Sequence, residues 1–242
     1  MTASGALTFA RYAFPPNDLG YCGPDDARAM LVPGAVEEIG RRARRFEGAW
    51  VYLEVLAEAA GSEDPLAEEV VEAYWVGNDL LDAVDPAHLG ARLRERFRGQ
   101  RGGTWQDAGA RARAHHSFQV LEVYPWASML RAGLPPGPAI DVLDRCRIRT
   151  GEVTEVDGEL VAVTSRVLAW DGVDLAPAAA APERARWSVD GLSLIDVPVV
   201  GDLVALHWDW VCDVLTHEQA DRLEELELDQ LRNLGLVHPS VR

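Results

Sequence analysis

Leu134-Pro135-Pro136-Gly137-Pro138 divides this chain into two parts of different periodicity. Proline has no amide donor and fixes its own backbone, so no single helix or strand runs through a segment this rich in it. Before the segment, apolar residues recur at helical spacing, and after it they alternate. The expected class is α+β. A mostly helical domain occupies residues 1–135, and a small OB-like β-barrel with a C-terminal helix occupies residues 136–242.

Within the first part, Ser62-Glu63-Asp64-Pro65 reads as a helix start. Leu66, Val70, Val71, Tyr74, Trp75, Leu80 and Leu81 then share one helical face. Asp85-Pro86 starts another helix through Leu89, Leu93 and Phe97. Val36 to Ala60 supplies one or two more, with a break expected at Gly48. A further segment runs from His115 to Arg131, bent or ended at Pro125. Arg11 to Pro24 is rich in aromatics, proline and glycine and reads as a loop.

In the second part, Cys146, Ile148 and Thr150 alternate with Arg147 and Arg149, which predicts a strand opening at Cys146. Asp157-Gly158 turns it into Leu160-Val161-Ala162-Val163. Strands are also expected over 167–170, 184–189, 192–197 and 203–207, with an alanine-rich loop over 176–182. Many short strands at close spacing favour a small Greek-key or OB-like barrel. Thr216 caps a closing helix that docks through Leu223, Leu226 and Leu231.

The chain of 242 residues carries 39 acidic and 23 basic residues, a formal charge of −16. That sign repels phosphate backbones, so no nucleic-acid partner is expected. Every basic residue is arginine, which removes lysine Schiff-base and P-loop chemistry. Met1-Thr2-Ala3-Ser4-Gly5 lacks the features of a secretory signal, and no run reaches the about 20 apolar residues that span a bilayer. Three cysteines at distant positions make no disulfide framework. The expected setting is cytoplasmic, with thiols that are free or metal-bound, and no membrane partner.

Cys146 and His207 are the leading chemical pair, because thiolate and imidazole are both good transition-metal ligands. Arg145, Arg147 and Arg149 flank the cysteine, and positive charge favours its thiolate. Asp209 is two residues beyond His207, on the same face of a regular strand, and could orient the imidazole. Cys22, in Tyr21-Cys22-Gly23-Pro24, precedes an acidic helix start at Asp25-Asp26 that would lower its pKa. His115-His116 is the third candidate, and adjacent residues point to different sides, so only one reaches a given site. The metal candidates are thus Cys146, His207, Cys22 and His116. Phe14, Tyr21, Tyr124, Trp126, Trp208 and Trp210 need covering. They suggest that the 11–24 and 115–126 segments pack near the barrel mouth, carrying Cys22 and His116 towards Cys146 and His207.

The ordered set of Cys146, the Gly151-x-Val153-x-Glu155-Val156-Asp157-Gly158 hairpin, Gly201-Asp202-Leu203-Val204 leading to His207, and a C-terminal helix resembles the HypC/HupF family of nickel–iron hydrogenase maturation chaperones. The resemblance spans roughly residues 143–234. The family cysteine follows the initiator methionine and precedes Ile-Pro-Gly. Here 145 residues come first, and Ile148-Arg149-Thr150-Gly151 follows. The resemblance implies an OB-like barrel and a cofactor of iron, with CO or cyanide ligands, held at Cys146 and His207. It also implies a hydrogenase large-subunit precursor or maturation protein as partner, docked by exposed aromatics. Segments 11–24 and 116–126 also resemble signatures of an uncharacterised bacterial family. The residues leave two other readings open. One is a cysteine-dependent enzyme with Cys22 as nucleophile, His116 or His207 as base and Asp209 as orienter. The other is a metal-free interaction module.

Overall fold

The computed structural model describes residues 3–235. In chain order it runs through helices α1 (Ala3–Asp18), α2 (Val36–Ala43), α3 (Glu47–Ala60), α4 (Glu68–Trp75), α5 (Leu80–Ala83) and α6 (Pro86–Arg96). Then come α7 (His116–Phe118), which continues as a π-helical turn over Gln119–Val123, α8 (Trp126–Arg131) and α9 (Pro136–Cys146). Strands β1 (Arg149–Asp157), β2 (Leu160–Ser165), β3 (Leu168–Trp170), β4 (Leu175–Pro177), β5 (Ala181–Arg186), β6 (Leu203–His207) and β7 (Trp210–Leu215) precede α10 (His217–Asn233). The fold is α+β with a mixed sheet and a C-terminal helix.

Five strands pair in the order β1-β2-β5-β7-β6, and β6 returns to β1, so the sheet closes on itself. All pairings in the ring are antiparallel except β5–β7, which meet in parallel at Arg186 and Trp210. Strands β3 and β4 form a separate two-stranded ribbon. Val153, Val161, Val163, Val204, Leu206 and Val211 fill the interior of the closed sheet, as alternation requires. Thr216 closes a capping box with Gln219 at the start of α10. Leu223 and Leu231 on that helix are buried and Leu226 is half-buried.

The largest core cluster draws on α1 to α6 and also on Ile148, Ala205, Trp210, Cys212, Leu215, Ala220 and Leu223. Helical and sheet parts therefore share apolar burial across residue 135. Among the described residues, no helix is long and apolar enough to cross a membrane.

Several local expectations need correction. Residues 11–18 lie in α1, not a loop, because Pro15 and Pro16 fall in its last turn, where only two helical bonds are lost. Helix α4 stops at Trp75, since Gly77 adopts φ +98° and a Cβ there would meet Leu226. The break between α2 and α3 lies at residues 44–46, and Gly48 sits inside α3, facing Tyr124. Cys146 ends α9 and does not open a strand; the alternating register begins only at Arg149. The expected 176–182 loop contributes to β4 and β5, and 192–197 holds only a bridge from Val189 to Leu192.

Arg147 follows α9 and is 2% exposed, with its guanidinium between Glu227 of α10 (2.5 and 2.7 Å) and Asp144 (3.0 Å). It also donates to the Arg166 carbonyl. This buried network ties α9 to α10 just where α9 presents Cys146. Breaking one partner of such a network leaves the others charged and dry. Arg147→Ala should therefore lower the unfolding free energy by about 3–5 kcal/mol in urea denaturation. Arg145→Ala, whose Asp141 pair is exposed, should change it by less than about 1 kcal/mol.

Candidate metal centre

Helix α9 ends with carbonyls that have no partner inside the helix. Two of them are satisfied from distant parts of the chain. The Arg145 carbonyl accepts the Trp208 backbone N–H at 2.6 Å, and the Cys146 carbonyl accepts His116 Nε2–H at 2.8 Å. Trp208 reaches that position with φ +58°, a left-handed conformation unusual for a bulky residue. It lies in the two-residue turn between β6 and β7, where His207 pairs with Trp210. The C-terminus of α9, the β6 end and the start of α7 thus meet at one point.

His207 is 1% exposed and its Nδ1 lies 2.7 Å from the Tyr12 carbonyl. A carbonyl only accepts, so Nδ1 carries the proton. That carbonyl is available because the residue four positions on is Pro16, which has no N–H to offer it. His207 Nε2 is left as a bare lone pair, buried and without a hydrogen-bond partner among the described residues. His116 is set the other way round in this state. Its Nε2–H faces the Cys146 carbonyl, and its Nδ1 faces the Tyr74 hydroxyl at 3.1 Å. With the proton on Nε2, the Tyr74 hydroxyl donates to Nδ1.

His116, Cys146 and His207 each offer a ligand atom, and these atoms all lie within 4.8 Å of one another. Trp75 packs against both imidazoles, with ring centroids 4.6 Å from His116 and 5.8 Å from His207. The cluster borders a cavity of about 240 Å³ that Cys22 also lines. Phe46, Tyr124, Trp126 and the Tyr21–Trp208 stack, with centroids 4.1 Å apart, form other walls. Among the described residues, no Asp, Glu or Arg side chain lines this cavity.

Burial sets the protonation states. It holds His116 at about 4, and it pushes His207 well down, helped by the neighbouring His116. Burial also pushes the Cys146 thiol up, with a smaller contribution from Cys22, and holds Cys22 at about 12. At neutral pH the site holds neutral imidazoles and neutral thiols. Neutral thiols are poor nucleophiles, and a cation bound here would displace the thiol proton. The negative end of the α9 dipole lies at Cys146 and favours a cation there.

The structure brings Cys22, His116, Cys146 and His207 to one cavity. Cys22 lies outside the tight triad. Asp209 is not with them: its side chain is exposed in the β6–β7 turn, because a turn replaces the regular strand that would have aligned it with His207. The Tyr12 carbonyl orients the imidazole instead. The arginines flanking Cys146 do not stabilise a thiolate, since Arg145 pairs with Asp141, Arg147 with Glu227 and Asp144, and Arg149 with Glu183. Cys22 gains no helix-terminus effect, because only a short 3-10 turn (Ala27–Met30) follows it, and burial dominates. His115 turns away and caps α7 by accepting the Ser117 N–H at Nδ1. Of the aromatics expected to need cover, Phe14, Trp208 and Trp210 are buried, Tyr124 and Trp126 half-buried, and only Tyr21 is exposed. Sequence reasoning missed Tyr12, Tyr74 and Trp75 as parts of the site. The signal for Tyr12 was Pro16, which in a helix leaves the carbonyl four residues earlier without a donor.

These tautomers predict the imidazole nitrogen spectrum of the metal-free protein. His207 should be protonated at Nδ1 and His116 at Nε2. Both should stay neutral on acidification through pH 6, since their folded values lie below the ordinary 6.5, and His116 should titrate near about 4. Nitrogen-15 chemical shifts followed against pH check this directly.

No curated protein and no solved structure matches the chain. Residues 1–237 match a family of unknown function, DUF6390. The match covers nearly the whole sequence, so the chain belongs to the DUF6390 family.

Proposed function

We propose that this protein is a metal-handling accessory protein that holds one transition-metal ion at Cys146, His207 and His116. The observation that carries the reading is the convergence of the three ligand atoms within 4.8 Å, with His207 Nε2 buried and partnerless among the described residues. An unpaired buried polar atom is costly, and a metal ion is one partner that removes the cost. One thiolate and two imidazoles suit borderline and soft ions such as iron(II), zinc and copper(I).

The more specific form of the proposal is a cytoplasmic carrier of an iron fragment for a nickel–iron hydrogenase precursor. It is supported by the HypC/HupF resemblance, which pairs Cys146 with His207 across 61 positions. The closed five-stranded sheet followed by α10 is compatible with the OB-like barrel that this resemblance implies. The adjoining cavity of about 240 Å³ has room for small non-protein ligands on the ion. The cysteine-enzyme reading is weaker, because ionising a buried thiol with a buried imidazole creates an ion pair in an apolar cavity.

The test is anaerobic purification from cells that make a nickel–iron hydrogenase. The protein should contain iron, with infrared bands of bound CO or cyanide, and Cys146→Ala and His207→Ala should each remove both. Iron-free protein that still takes up zinc or cobalt(II) at these residues would eliminate the iron carrier and keep the metal site. Absence of any metal uptake would eliminate both.

A further inference from the structure

The metal reading raises a question of charge. A divalent ion that brings no cyanide or other anion of its own, bound by one thiolate and two neutral imidazoles, keeps a net charge of +1. Among the described residues, no carboxylate lines the cavity to compensate it. An uncompensated charge in apolar surroundings is strongly unfavourable, so such a site needs a second anionic ligand. Cys22 is the side chain lining this cavity that can become one, apart from the cluster's own Cys146 and the weakly acidic tyrosines.

The backbone around Cys22 is built to hold it there. Asn17, in the last turn of α1, donates through Nδ2 to the Cys22 carbonyl at 2.8 Å and to the Pro24 carbonyl at 2.7 Å. Gly23 adopts φ +83° and packs where a Cβ would fall 2.4 Å from the Phe46 ring. On the other side, Tyr21 stacks on Trp208, the residue whose N–H caps α9. The segment bearing Cys22 is thus fastened to the elements that carry Cys146 and His207. Cys22 lines the cavity with Cys146, His116 and His207 but lies outside their 4.8 Å grouping, so its sulfur moves inward to bind.

We infer that Cys22 is the fourth ligand for a divalent ion, completing a neutral, four-coordinate site of two thiolates and two imidazoles with Cys146, His116 and His207. The inference rests on the metal reading above. Each thiol gives its proton to solvent as its sulfur binds, so two positive charges leave as one dication enters. Two thiolates and two imidazoles in tetrahedral geometry suit zinc(II), and cobalt(II) reports on the same arrangement.

Cobalt(II) added to the full chain under anaerobic conditions tests this. The wild type should bind one ion with tetrahedral ligand-field bands and strong thiolate-to-cobalt charge transfer. Cys22→Ser should still bind cobalt, with roughly half the charge-transfer intensity and affinity weaker by at least about tenfold. Intensity and affinity equal to wild type in Cys22→Ser would overturn the fourth-ligand assignment and leave the three-residue site intact. A wild-type protein that binds no cobalt would overturn the metal reading itself. A second measurement needs no variant: stoichiometric zinc should protect Cys22 from alkylation in wild-type protein, read by peptide mass spectrometry. Alkylation of Cys22 at the same rate with and without bound zinc would also overturn the assignment.

Discussion

The C-terminal cap of α9 is the contact on which the site depends. A helix end carries carbonyls that need donors, and here they come from the Trp208 N–H and the His116 imidazole. Each donor also brings a functional element. Trp208 fixes the turn that follows His207, and His116 is itself a candidate ligand. Satisfying ordinary backbone valence therefore brings together three segments separated by tens of residues. The left-handed Trp208 is the local strain this arrangement carries, held in place by stacking on Tyr21 and by the hydrogen bond to Arg145.

A second backbone device orients His207. Pro16 removes the helical partner of the Tyr12 carbonyl, and the imidazole supplies the replacement. A proline pair that costs α1 two hydrogen bonds thus leaves an acceptor aimed into the core. It fixes which nitrogen carries the proton, the part a carboxylate plays in many metal sites. For His116 the Cys146 carbonyl holds the proton on Nε2, and the Tyr74 hydroxyl donates to Nδ1.

Electrostatics then narrow the chemistry. The chain is strongly acidic, yet the cavity walls are aromatic and aliphatic around thiols and imidazoles. Arginines close to Cys146 are neutralised by acidic partners, two of them in buried or half-buried pairs. Such surroundings oppose a free thiolate or imidazolium, and a metal complex there would need a low net charge.

The sequence by itself determined the α+β class, the turns at Gly158 and Gly201 and the Thr216 cap, whereas the change of pattern expected at residue 135 comes only after α9, beyond Cys146. These rest on local rules, namely periodicity, turn chemistry and capping, which act over a few residues. It also singled out Cys22, His116, Cys146 and His207, the first two from unusual residue types and the others through a resemblance in order and spacing. Only the tertiary structure decided which of those residues come together. Local pattern read Cys146 as a strand start and Asp209 as an orienter, because neither the α9 cap nor the Trp208 turn leaves a mark at the positions it controls. Pairing of Arg147 with Glu227, across 80 positions, was equally invisible. Burial, which sets the protonation of every candidate ligand, is a property of the assembled core and of no segment within it.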